Sequence, residues 1–141
     1  MLLPDINVWL AMTFATHVHH ATAKVWFDAL ATDGTCYFCR LTQQGFLRLA
    51  SNAKVFRTEA LTLQEAWRFY DALANDSRVN FAMEPSDLEP HWRGFTQAKL
   101  HSTNVWSDAY LAAFAMAADF TLVSLDADFA RYRDVKTLVL K

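Results

Sequence analysis

Short apolar or β-branched runs alternate with longer stretches of helical periodicity, and that alternation leaves few folds open. The runs lie at residues 1–3, 35–39, 79–83 and 121–125, with a fifth at 136–140. Between them, Ala23, Trp26, Phe27 and Leu30 recur at three- and four-residue steps, as a helix over 20–31 requires. A first helix is expected from about Val8, and Asp33-Gly34 is a stop signal, with Gly34 suited to a left-handed cap. Thr42 is a cap for a helix carrying Phe46, Leu49 and Ala50. Thr62 with Glu65 three residues on forms a capping box before a face of Leu63, Ala66, Trp67, Tyr70 and Ala74. Pro85 and Pro90 bracket the start of a helix with Leu88, Trp92 and Phe95 inward. After Asn104 as cap, residues 105–118 are apolar nearly all round, so that helix should be deeply buried. The expectation is a three-layer α/β/α sandwich around a mainly parallel sheet of four to five strands, formed by one domain over residues 1–141.

Apolar residues make up 53% of the chain, enough for a real core and too many for a disordered segment. The formal net charge of -2 excludes nucleic-acid binding by net charge alone, leaving local basic patches or bound metal to do it. No cationic start precedes a long apolar run, and residues 109–118 are too few to span a bilayer, so a cytoplasmic protein without membrane contact is expected.

Three aspartates stand out by position. Asp5 follows the first strand, Asp126 follows the fourth, and Asp108 lies in the first turns of the most buried helix. In an open parallel sheet, ligands bind beyond the carboxyl ends of the strands where strand order reverses. If strands one and four are neighbours, the three carboxylates converge there, with Asp128 available as a fourth. Clustered carboxylates repel one another, so near neutral pH they hold a proton or a cation. Oxygen ligands favour Mg²⁺ or Mn²⁺, an ion able to activate water and offset charge on a phosphate. Taken singly, each Asp is equally well read as a helix cap.

Several segments, in order, resemble the PIN-domain family, and within it the VapC-type toxins, over nearly the whole chain. They are Leu2-Leu3-Pro4-Asp5-Ile6-Asn7-Val8-Trp9-Leu10, the His20-x5-Trp26-Phe27 spacing, Cys39-Arg40-Leu41-Thr42-Gln43-Gln44-Gly45-Phe46-Leu47-Arg48-Leu49, Asp108-Ala109-Tyr110-Leu111-Ala112-Ala113-Phe114-Ala115, and Leu122-Val123-Ser124-Leu125-Asp126-Ala127-Asp128-Phe129. The resemblance implies an Mg²⁺- or Mn²⁺-dependent endoribonuclease with Asp5, Asp108 and Asp126 as catalytic metal ligands. It also implies cleavage of tRNA or ribosomal RNA, and a VapB-type antitoxin as partner. Most such nucleases carry a Glu in the helix after the second strand, where this chain has Gln43 and Gln44. Asp128, Gln43 and Asn7 are accordingly assigned as secondary oxygen donors.

The remaining features carry weaker chemistry. Arg40, Arg48, Lys54 and Arg57 form the densest basic stretch, from which Arg40 and Arg48 are candidate phosphate contacts. Cys36 and Cys39 have redox spacing but fall in a strand, so buried structural thiols are expected. His17, His19 and His20 meet at a loop–helix junction and are read as a solvated helix start. The surplus of Trp and Phe fills core stripes, and part of it is assigned to a homodimer face. Two alternatives remain: a non-catalytic PIN-like binding module, and a receiver-type phosphotransfer domain. The latter wants a Lys after a late strand, which Lys24, Lys54, Lys99, Lys136 and Lys141 do not supply.

Overall fold

The computed structural model describes residues 1–31, 33 and 35–141; Gly34, expected as a left-handed cap, lies outside the described residues. The first strand, β1 (Leu2–Pro4), leads into α1 (Ile6–Thr13) and α2 (His20–Asp28). Then β2 (Cys36–Phe38) leads into α3 (Arg40–Ala50), a short α4 (Ala53–Phe56), a 3-10 turn (Arg57–Glu59) and α5 (Leu63–Ala74). Next come β3 (Val79–Phe81), α6 (Leu88–Phe95) and α7 (Val105–Ala118). The chain closes with β4 (Thr121–Ser124), a second 3-10 turn (Ala127–Arg131) and β5 (Thr137–Val139).

The strands form one sheet in the order β3-β2-β1-β4-β5, with all four pairings parallel. Strand order reverses between β1 and β4, which pair through Leu3 and Leu122, so the carboxyl ends of these two strands open the crevice where such sheets take ligands.

Alternation along the strands splits the core in two. Leu3 and Leu122 pack with Leu88, Ala109, Phe114 and Phe120, under α6 and α7. Cys36 and Phe38 face the opposite layer, where Trp9, Phe27, Phe46 and Tyr70 bring α1, α2, α3 and α5 together. Trp9 stacks on Phe38 with ring centres 3.8 Å apart. Truncating an aromatic this buried costs roughly 3–5 kcal/mol. Among the described residues, no helix is long and apolar enough to cross a membrane.

Helix starts depart from the sequence reading in instructive ways. α3 begins at Arg40, two residues before the expected cap; Cys39 is the N-cap and Thr42 sits at the third helical position. The buried Thr42 hydroxyl accepts from the Cys39 N–H at 3.0 Å, so it closes the helix end from inside. Before α7, the Ser102 hydroxyl accepts from the N–H groups of Asn104 and Val105, and Asn104 makes no side-chain cap. The Thr62–Glu65 capping box of α5 forms as expected, but its apolar face is only half covered. Ala66 and Tyr70 are buried, whereas Leu63 is 76% and Trp67 50% exposed.

Candidate active site

Asp5 leaves the end of β1 in an extended conformation and becomes the N-cap of α1, one Oδ accepting from the Val8 N–H at 3.1 Å. Its other oxygen accepts from the Ser124 hydroxyl at the end of β4. Ser124 Oγ in turn accepts from the Asp126 N–H at 2.9 Å, and Asp126 caps the following turn by accepting from the Asp128 N–H at 2.8 Å. A chain of hydrogen bonds thus ties the two strand ends at the crevice. Only 6% of Asp5 is exposed. Burial pushes its carboxyl up to about 6, against the bonds from Ser124, Val8 and Asn7, and the charge of Asp108 adds to the rise.

Asp108 enters from the first turn of α7, half-buried. Burial again raises its pKa, and the charges of Asp126 and Asp128 add to that, while the Arg131 guanidinium, 3.7 Å away, opposes it. Asp5, Asp108 and Asp126 border one cavity of about 160 Å³, with Asn7 and Ser107 as further oxygen donors. Ile6, Leu41, Leu49, Leu111 and Phe129 make its apolar walls. The three carboxylates surround the cavity without closing on one point. Among the described residues, no three His, Cys, Asp or Glu side chains are near enough together to clasp an ion. The donor set nevertheless suits a hard divalent cation: every polar group is an oxygen donor or amide, and the acids outnumber the single neighbouring Arg131.

The secondary assignments fare unevenly. Asn7 borders the cavity, whereas Asp128 is exposed and acts on Asp108 only through its charge. Gln43 is not among the residues that line the cavity. Its amide oxygen accepts from Arg40 Nη1, and it bonds Tyr70. The reason is helical spacing: the residues of α3 that line the cavity are Leu41 and Leu49, Gly45 falls between them on the same stripe, and position 43 turns the other way. Gly45 presents no side chain there; the Ile6 side chain lies against it in the space a Cβ would take. Gln44 and Arg40 border a second cavity, and Arg48 is exposed and borders neither.

Two participants escaped sequence reading. Ser124 lies two residues before Asp126, the period that returns a strand side chain to the same face. Arg131 lies three residues beyond Asp128, one turn along. The cysteines are free and buried, Cys36 in one core layer and Cys39 in the other. The His20 ring hydrogen-bonds the Ala11 carbonyl and His17 stands beside His19, without a metal-binding group among the described residues.

Residues 2–135 match the PIN domain in sequence. The chain belongs to the PIN-domain family. This PIN domain is 42% identical to Ribonuclease VapC41 of Mycobacterium tuberculosis, over 99% of both chains. It is 35% identical to Ribonuclease VapC31 of the same organism over 96% of each. Its fold is similar to that of VapBC2 from Rickettsia felis, solved bound to a promoter DNA fragment, with a TM-score of 0.74, 13% identity and coverage of 99% and 98%. It is also similar to Mycobacterium tuberculosis VapC20, described as a sarcin–ricin loop cleaving toxin, with a TM-score of 0.71, 16% identity and full coverage of both chains.

Proposed function

We propose that this PIN domain is a divalent-metal-dependent endoribonuclease and the toxin of a VapBC-type pair. The observation that carries the reading is the shared cavity of Asp5, Asp108 and Asp126 at the strand-order switch, in a chain related over its full length to ribonucleases. Asp5, Asp108 and Asp126 would hold Mg²⁺ or Mn²⁺, with Asn7 at the cavity wall to bond its water and Asp128 adding negative charge nearby. When bound, the ion supplies an activated water and offsets charge on the scissile phosphate.

The chain's own residues prepare that chemistry. Ser124 and the Val8 N–H aim the two oxygens of Asp5, so the carboxylate meets a cation without first reorganising. Asp5, whose pKa burial raises to about 6, would hold a cation in its ionised form. Arg131, bonded to the Tyr132 hydroxyl and resting beside Asp108, would offer its remaining N–H groups to an incoming phosphate. Leu41, Leu49 and Phe129 give the cavity an apolar wall beside the acids.

A partner follows from the same electrostatics. An acidic pocket of this shape suits an Arg fork from a VapB-type antitoxin, which would displace metal or block the phosphate. Leu63, Trp67 and Phe69 of α5 and Trp106 of α7 remain exposed as surface for that antitoxin or for a homodimer. A cytoplasmic setting suits an enzyme whose substrate is tRNA or ribosomal RNA.

The test is incubation of total RNA with the purified chain, with Mg²⁺ or with chelator, beside expression in growing cells. Cleavage that the chelator abolishes, and growth arrest relieved by the adjacent small gene product, are expected. A folded, abundant chain that cuts no RNA under either condition would overturn the reading in favour of a binding module.

A further inference from the structure

A second cavity, of about 370 Å³, opens beside the acidic one and shares Leu41 as a wall. The two helices that bound the acids also bound it: α3 through Arg40 and Gln44, α7 through Tyr110 and Phe114. Its outer side is the end of β3 and the segment after it, with Phe81, Met83 and Glu84. Because Leu41 walls both cavities, whatever occupies this one lies next to whatever the acids act on.

The Arg40 guanidinium lies 4.9 Å from the centre of the Phe81 ring. Gln43 accepts from Arg40 Nη1, holding the guanidinium in place. Phe81 is 36% exposed and Met83 78%, an apolar outlay that the fold itself does not use. In the same lining, Glu84 accepts from the Tyr110 hydroxyl at 2.7 Å through one oxygen, and its second oxygen has no bond among the described residues. A guanidinium stacked on an aromatic ring is a platform for a planar base, and every base has a π-face for it. A carboxylate is a poor neighbour for phosphate, so Glu84 has to meet N–H donors instead. Guanine presents two adjacent donors, N1–H and the 2-amino group, matched to one carboxylate; adenine, cytosine and uracil each present a single donor on that edge.

We propose that this cavity is a nucleobase subsite that selects guanine in single-stranded RNA, next to the scissile phosphate. Arg40 and Phe81 stack the base, Glu84 reads its Watson–Crick edge, and Tyr110 fixes Glu84. This rests on the RNA-cleaving reading, and the experiment has two arms so that each can fail alone.

In the first arm, GMP, AMP, CMP and UMP are titrated by NMR into the full chain in chelator, without any cleavage. GMP should bind at least fivefold more tightly than the others. Glu84→Gln should erase that preference, Phe81→Ala should weaken all four nucleotides about tenfold, and Tyr110→Phe should reduce the guanine preference while retaining stacking. Amide spectra of each variant establish that it is folded. In the second arm, a random RNA pool is cut with Mg²⁺ and its ends sequenced; wild type should show guanine at one fixed offset from the cut, and Glu84→Gln should lose it. Equal binding of the four nucleotides, or a guanine preference that survives Glu84→Gln, overturns the subsite even if RNA is cut. Guanine-selective binding without cleavage of any RNA upholds the subsite and overturns the nuclease.

Discussion

Replacing Asp5 by Asn should stabilise the metal-free protein above neutral pH and leave it nearly unchanged near pH 4. The folded protein holds a proton on Asp5 up to about pH 6, whereas an Asp in its ordinary setting releases it at 3.8. Between those values the folded state binds more protons than the unfolded state. Rising pH therefore drains stability until Asp5 is fully ionised. The interval is roughly two pH units at about 1.4 kcal/mol each, so wild type should lose about 2–3 kcal/mol from this group between pH 4 and pH 7. Asn cannot ionise, still caps α1 by accepting from the Val8 N–H, and keeps a partner in Ser124. All other titrating groups are common to both proteins, so the difference between them reads Asp5 together with its coupling to Asp108. Urea unfolding in chelator at pH 4.5 and 7.5 reads it directly. The gap should open by about 2–3 kcal/mol in favour of Asp5→Asn at the higher pH. Stabilities that run parallel across this range would refute burial as the force acting on Asp5.

Two further predictions concern packing and reactivity. Gly45→Ala gains about 1 kcal/mol of helix propensity but drives a methyl into the Ile6 side chain, at an overpacking cost of roughly 1–3 kcal/mol. The single variant should be neutral to destabilised, and the same change in an Ile6→Ala background should stabilise; calorimetric melting of the four proteins checks the sign reversal. Burial pushes the Cys36 thiol up to about 12 and raises that of Cys39 as well. Both should therefore ignore a thiol reagent at pH 8 in the native state and react only after unfolding, with fast native labelling as the contrary result.

The alternation of short strands with helices was enough to read the layered parallel sheet, because each strand's two faces demanded covers. Placing strands one and four side by side also made Asp5 and Asp126 legible as one site, with Asp108 brought in by the most buried helix. What escaped depends on neighbours rather than on local pattern. Thr42 looks like an N-cap because its hydroxyl closes the helix end, yet it does so from the third helical position while Cys39 takes the cap. Leu63 and Trp67 fit an apolar stripe, but periodicity does not say how far the facing layer extends. Gln43 occupies a helix that borders the acids, and only the observed phase of that helix shows it turned toward Arg40 and Tyr70. Arg131 carries no motif; its place beside Asp108 comes from a turn between β4 and β5 that sequence alone does not orient.

Metal-assisted RNA cleavage by the carboxylates around this cavity is the proposal on which the rest depends. It is tested most directly by the cleavage rate of Asp108→Asn beside wild type, on the same RNA at saturating Mg²⁺. Asp108 is half-buried and supports no cap or core contact whose loss would unfold the chain, so the variant isolates the carboxylate. The account predicts a loss of at least a hundredfold with an unchanged unfolding curve, the scale of removing a group that stabilises charge in the transition state. Cleavage at the wild-type rate would contradict it.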